Sequence, residues 1–448
     1  MKRIVIIGAG PCGLGAGIRL KELKHSNYAL YEQYQEPGGL SRSFLDKNGF
    51  TWDIGGHVLF SGYDHFNDFI KKILKNDSLR HERKAFIRFN NCWIPYPFQN
   101  NLRHLEPKII LECLYGLMDK PAKPNAGNFL SWIRSVFGNG IAKYFMIPYN
   151  QKVWAYDLKK MSSDWISERV SVVDFKKVLG NIILSRDDDR WGPNSSFIFP
   201  LKGGTGDIFK RISNIISEKI FYNKKAVRID SKRKIVYFSD STSDRYDYLI
   251  NTSPINVLTK SISGIDEKFR LLAGKLRFNS LYLLGLGLRK KITEDKCWIY
   301  FPQSDMPVYR LTYFSNYSPN NVVDGKKEVY SSLMCEVSLA RNQTDAEKLK
   351  AGIIEGLINN GIIVKNDLKN IVSEFVHREK MSYPIPTIER DVILRQLEKK
   401  LISMDIYSRG RFGAWRYETG NMDHSFIQGM EAAERIILGK KESILTQK

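Results

Sequence analysis

Gly8-Ala9-Gly10-Pro11-Cys12-Gly13 is a GxGxxG run set directly behind an apolar stretch and ahead of residues patterned for a helix. In that setting Gly8 permits a tight turn, Gly10 lets backbone approach a pyrophosphate, and Gly13 lets helix and strand pack closely. The helix N-terminus offers free N–H groups and a partial positive charge to phosphate oxygens. Glu32 follows about 20 residues on, where a carboxylate can accept ribose hydroxyls. Together these residues predict dinucleotide binding. No Ser–His–Asp or Cys–His arrangement calls for a protein nucleophile. The five cysteines, Cys12, Cys92, Cys113, Cys297 and Cys335, are scattered and include no CxxC pair. They suit a reducing cytoplasm, with neither a disulfide framework nor a metal site.

The elements that must position these residues are legible as patterns. Lys2–Gly8 predicts a strand, Pro11–Lys24 a helix and Tyr28–Glu32 a second strand, a βαβ opening. Helical patterning dominates from about Leu102 to Leu184, with Trp132, Ile133, Val136 and Phe137 at helix-like spacing. Gly204–Lys219 predicts another helix, and Ala226–Ile229, Ile235–Phe238 and Tyr248–Ile250 short strands. Leu281–Leu288, Cys297–Phe301, Val308–Phe314 and Val329–Val337 predict longer strands. Helices follow near Asp345–Asn359 and Glu389–Leu401, then a strand Ile406–Ser408 and a final helix from about Asp423.

The chain has 448 residues, enough for two or three domains, and 43% hydrophobic residues suffice for a packed interior. No run reaches the roughly 18 apolar residues of a membrane span. MKRIVIIGAG is basic and then apolar, but its glycines and the lack of a cleavage site argue against a signal peptide. The net charge of +21 raises the question of nucleic acid. The lysines are spread along the chain rather than clustered, so solvated surface is the favoured reading and no nucleic-acid partner is expected. Such a field still steers anionic substrates.

Two further glycine-rich stretches sharpen the cofactor. Pro37-Gly38-Gly39-Leu40-Ser41-Arg42 and Asp53-Ile54-Gly55-Gly56-His57 resemble the phosphate and flavin loops of amine-oxidase-like FAD proteins. Ser408-Arg409-Gly410-Arg411-Phe412-Gly413 with Asn421-Met422-Asp423-His424-Ser425 resembles the segment that closes their FAD site. The resemblance implies an α/β fold: a Rossmann-like FAD-binding domain with an inserted helical domain and an inserted, mainly antiparallel sheet domain. The expected boundaries are 1–92, 203–262 and 404–448 for the FAD domain, 93–202 for the helical domain with a mobile lid, and 263–403 for the substrate sheet.

Longer strings are more specific. Gly55-Gly56-His57-Val58-Leu59-Phe60-Ser61, Trp93-Ile94-Pro95-Tyr96-Pro97-Phe98-Gln99-Asn100-Asn101 and Pro148-Tyr149-Asn150-Gln151-Lys152-Val153-Trp154-Ala155 resemble eukaryotic-type UDP-galactopyranose mutases. So do Trp191-Gly192-Pro193-Asn194, Lys296-Cys297-Trp298-Ile299-Tyr300-Phe301-Pro302 and Arg409-Gly410-Arg411-Phe412-Gly413-Ala414-Trp415-Arg416-Tyr417. The resemblance implies an isomerase interconverting UDP-galactopyranose and UDP-galactofuranose, in which N5 of reduced FAD attacks the anomeric carbon and displaces UDP. Another NDP-pyranose, or an amine-oxidase-like oxidation, stays open as an alternative.

By the same resemblance His57, Arg169 and Arg310 are catalytic, with His57 against the isoalloxazine and the two arginines on the diphosphate. Gly8, Gly10, Gly13, Glu32, Gly39, Arg42, Gly56, His57, Arg411, Asn421 and Met422 are expected to hold FAD. Tyr300, Tyr383 and Tyr417 are expected to donate to phosphate. Tyr96, Phe98, Gln99, Asn150 and Trp154 are expected to form the uridine pocket, with Phe60, Asn194 and Trp298 near the substrate. NAD(P)H is the expected reductant, the cytoplasm the expected location, and a homo-oligomer is left open. The sequence departs from the family at Gly62, where a second histidine is usual, at Ala85 for serine, and at Met422 for glutamine. Ser171–Asp189 is expected to be a lid over the substrate, its Arg186-Asp187-Asp188-Asp189-Arg190 run solvated.

Overall fold

Ile4–Ile7 is buried at every position and forms the middle strand of a five-stranded parallel sheet. A strand covered on both faces must be apolar throughout, which is what this stretch supplies. The strand order is Ile406–Ser408, Tyr248–Asn251, Ile4–Ile7, Tyr28–Tyr31 and Ile220–Phe221, every pairing parallel. Successive side chains point to opposite faces. Ile4 and Ile6 pack with the helices Pro11–Glu22, Gly204–Asn214 and Met422–Leu438, while Val5 and Ile7 pack with Ile229, Val236 and Leu258. The structure, a computed structural model, describes residues 1–124, 127–166, 170–189, 192, 195–340 and 346–445.

A seven-stranded sheet stands beside this domain. Its order is Ile371–Ile385, Arg277–Leu288, Ser331–Leu339, Arg310–Tyr313, Trp298–Tyr300, Ala85–Phe89 and Cys92–Pro95. All its pairings are antiparallel except that of Trp298–Tyr300 with Ala85–Phe89. The hairpin Ala85–Pro95 is thus part of this sheet, and the expected boundary at residue 92 runs through it. Ile371–Ile385 lies where the sequence patterns assign no element, and it pairs along nearly all of Arg277–Leu288.

The helical portion follows the expected pattern. Pro107–Met118 starts with proline in its first turn and buries Ile109, Cys113 and Leu117, four residues apart on one face. Phe129–Ile141 is capped by Asn128, whose side chain accepts from the Ser131 N–H at 2.9 Å. Asp174 caps Phe175–Ile183 in the same way through the Lys177 N–H. Lys152, on the helix Ile147–Trp154, donates to the carbonyls of Phe301, Gln303 and Met306 at 2.6, 3.0 and 2.5 Å. This ammonium ties the helix to the loop that follows strand Trp298–Tyr300.

The acidic run near Asp187 is held rather than free. Arg103 and His104 contact the Asp187 carboxylate at 2.6 and 2.8 Å. Asn100 and Lys177 contact that of Asp188 at 2.9 and 2.5 Å, and Asn101 exchanges two hydrogen bonds with the Asp188 backbone. The run expected to be solvated is exposed at Arg186, Asp187 and Asp189, and its carboxylates at the same time anchor this end of the segment; Arg190 lies outside the described residues.

Candidate active site

Parallel sheets present ligand sites at the carboxyl ends of their strands. Here Gly8, Glu32, Thr252 and Gly410 each follow a strand of the parallel sheet, and all four line one cavity of about 1880 Å³. The first turn is built as its glycines predict. Gly8 has a φ of +98°, and a Cβ on Gly13 would lie 1.8 Å from the Gly8 carbonyl oxygen. Only hydrogen at both positions permits this closeness of strand and helix. Gly13 accordingly supports the turn from behind, outside the cavity lining.

Glu32 is 4% exposed and accepts from the Ala9 N–H at 2.7 Å and the Tyr34 N–H at 3.0 Å. Burial pushes its carboxyl above the ordinary range, against those hydrogen bonds. Arg42 lies with its guanidinium 4.0 Å over the Tyr34 ring and donates to the Gly39 carbonyl at 2.9 Å. Backbone of Gly10 and Gly39 approach each other so closely that a Cβ on Gly39 would meet Gly10 Cα at 3.2 Å.

The same cavity reaches the seven-stranded sheet. Arg310 and Glu336 are cross-strand partners on Arg310–Tyr313 and Ser331–Leu339. Arg310 Nε donates to Glu336 Oε1 at 2.6 Å and Nη2 donates to Oε2 at 2.8 Å, a bidentate pair. Glu336, 1% exposed, also accepts from the Tyr309 hydroxyl at 2.8 Å and the Gly56 N–H at 3.1 Å. Burial works to raise its pKa, but the Arg310 charge holds it below the usual range. Next along the loop, burial and then Arg310 push His57 down to about 4, so the imidazole is neutral at physiological pH. His57 Nδ1 is buried with no partner among the described residues.

Tyrosines surround Arg310. The Tyr96 and Tyr300 rings are 5.4 Å apart, those of Tyr383 and Tyr417 5.6 Å, and Arg411 lies 5.0 Å over Tyr383. Burial pushes the Tyr96, Tyr300 and Tyr383 hydroxyls up, which keeps them protonated and able to donate.

Of the residues expected from sequence, Gly8, Gly10, Glu32, Gly39, Arg42, Gly56, His57, Arg411, Asn421 and Met422 line this cavity. So do Phe60, Tyr96, Trp298, Tyr300, Arg310, Tyr383 and Tyr417. Phe98, Gln99, Asn150 and Trp154 do not. Phe98 stacks on Phe145 at 4.7 Å, Gln99 donates to the Ser171 carbonyl at 2.7 Å, and Asn150 donates to the Met146 carbonyl at 2.7 Å. Trp154 lies behind Tyr417, ring centroids 4.9 Å apart. Arg169 and Asn194 lie outside the described residues. Glu336 and Trp165 line the cavity without having been anticipated. The signal for Glu336 is a single carboxylate inside the apolar strand Ser331–Leu339; Trp165 carries no comparable signal.

The residues present fit FAD. The Gly10–Gly39 approach offers only backbone, which would suit a passing pyrophosphate, Glu32 at the end of the second strand would accept from a ribose, and His57 has a ring nitrogen without a partner among the described residues. Fold and site together define a dinucleotide-binding flavoprotein, and the sequence profile of flavin-containing amine oxidoreductase matches residues 11–437. The chain belongs to that family and, within it, to the UDP-galactopyranose mutases. A crystal structure of reduced UDP-galactopyranose mutase is 41% identical, with all of this chain and 96% of that chain covered at a TM-score of 0.95. A putative protoporphyrinogen oxidase from Exiguobacterium sp. 255-15 is 14% identical, with 98% and 99% covered and a TM-score of 0.75. A fatty acid isomerase from P. acnes is also 14% identical, with 97% and 99% covered and a TM-score of 0.66. These last two share the fold. No helix among the described residues is long and apolar enough to cross a membrane.

Proposed function

We propose that this protein interconverts UDP-galactopyranose and UDP-galactofuranose, with FAD required in its reduced form. The observation that supports this most directly is Arg310, fixed by Glu336 and ringed by tyrosines, in the same cavity as the His57 glycine loop. A planar guanidinium held in one orientation suits bidentate contact with a diphosphate, and buried hydroxyls add donors. FAD, when bound and reduced, supplies the nucleophile that this chain's own side chains lack.

In this reading the protein binds, orients and excludes water. Arg310, with Tyr300, Tyr383 and Tyr417, holds the diphosphate as both leaving group and returning nucleophile. The neutral imidazole of His57 faces the flavin and keeps a ring nitrogen for a hydrogen bond there. Arg169, Asn194 and Trp298 complete the substrate side, and Gln99, Asn150 and Trp154 bind uridine when the Ser171 segment shifts. The FAD, helical and sheet units divide the tasks of cofactor binding, nucleotide recognition and substrate positioning. NAD(P)H is the proposed reductant.

The test is direct: reduce the purified protein with dithionite, add UDP-galactofuranose and resolve products by HPLC. Formation of UDP-galactopyranose in the reduced state alone is the expected result. A yellow protein that turns over amines with dioxygen and leaves the nucleotide sugar unchanged would overturn the reading.

A further inference from the structure

We propose that Glu336 is a positioning residue that couples the diphosphate-binding arginine to the flavin-facing glycine loop, so that nucleotide and flavin sense each other. The proposal rests on the mutase reading above. A carboxylate has about four acceptor sites on its two oxygens, and Glu336 has four donors. Oε1 takes Arg310 Nε at 2.6 Å and the Gly56 N–H at 3.1 Å; Oε2 takes Arg310 Nη2 at 2.8 Å and the Tyr309 hydroxyl at 2.8 Å. Substrate side and flavin side therefore meet on one oxygen atom.

The loop has no slack over this carboxylate. A Cβ on Gly55 would lie 2.9 Å from Glu336 Oε2, and one on Gly56 would lie 2.5 Å from Thr312 Oγ1. The Tyr309 hydroxyl, 3.3 Å from that of Tyr383, carries the contact to a further cavity side chain. An anion that draws on Arg310 weakens its hold on Glu336. The released acceptor strength falls to the Gly56 N–H, whose position sets the backbone leading into His57. At low local dielectric such a redistribution is felt across one carboxylate. By reciprocity, the factor by which flavin reduction changes anion affinity at Arg310 equals the factor by which the bound anion shifts the flavin's reduction equilibrium.

The experiment is UDP titration of FAD-loaded protein, oxidised and dithionite-reduced, for wild type and Glu336→Gln. Wild type is expected to show affinities that differ about tenfold between the two states, within the usual range of coupling between sites. Glu336→Gln is expected to bind UDP in both states with a ratio within about twofold of one. A residue that merely supports the fold weakens both states alike and preserves the ratio. Tyr309→Phe, which removes one donor at constant shape, is expected to lower the ratio about threefold and serves if Glu336→Gln loses FAD. A ratio unchanged in the variants, or equal affinities in wild type, overturns the coupling alone. Wild type that binds UDP in neither state overturns the mutase reading and removes the ground for the coupling with it.

Discussion

At the scale of single residues, charge placement decides what the cavity can hold. Arg310 stays charged among buried groups because Glu336 compensates it, and its guanidinium is already oriented before any ligand arrives. Arg310→Ala is expected to weaken UDP binding by about 2–5 kcal/mol, the usual loss when one partner of a desolvated charge pair is truncated. FAD should remain bound, because Gly10, Gly39 and Glu32, proposed to hold it, are untouched. Fluorescence titration checks it, and wild-type UDP affinity in a yellow variant would refute the assignment. The glycines and Glu32 were legible because their spacing along the chain is itself the signal. Glu336 was not, because its partners Gly56, Tyr309 and Arg310 converge on it only through cross-strand register and loop packing.

At the scale of elements, sequence patterns located strands and helices better than they located their partners. Ile4–Ile7, Pro11–Glu22 and Tyr28–Tyr31 fall where periodicity puts them, as does most of the helical stretch. Ile371–Ile385 escaped because its exposed face carries Glu374, Arg378 and Lys380, charges that protect an edge but blur a strand signal. It is this strand that brings Tyr383 to the cavity. The Ser171–Asp189 segment shows the opposite lesson. Its acidic run is solvent-facing as it reads, and Asp187 and Asp188 also find Arg103, His104 and Asn100 outside the segment and Lys177 within it. Asp188→Ala should release that anchor. Protease cleavage within 171–189 is expected to rise about tenfold in UDP-free protein, as about 1–2 kcal/mol of local stability is lost. Cleavage at the wild-type rate would show that the acidic anchor does not hold the segment.

At the scale of the whole molecule, the parallel sheet is assembled from both ends of the chain and secured by a buried ionic contact. Arg409, 2% exposed, donates to Glu442 through Nε at 2.5 Å and Nη2 at 2.6 Å, and Arg435 reaches the same carboxylate at 2.6 Å. Glu442→Gln leaves a buried arginine without its full counter-charge, which is expected to cost about 3–5 kcal/mol. Thermal melting of the variant should show this as a loss of several degrees, with earlier release of FAD. An unchanged melting temperature would mean that Glu398, 3.2 Å from Arg409, takes over the charge.

The strand order of the parallel sheet also governs how the protein comes into being. Ile4 pairs with Tyr28, close by in the chain, but also with Tyr248, and Leu249 in turn pairs with Ile406, so the glycine turn emerges from the ribosome long before one side of its sheet can form. Contacts so distant along the chain are slow to form. Until Ile406–Ser408 has been translated, the nascent chain carries a nucleotide-binding turn on an unfinished sheet. The complete cavity, lined by Gly8 and Gly10 from the first turn and by Gly410 and Arg411 after the last strand, therefore exists only when nearly the whole chain has been made.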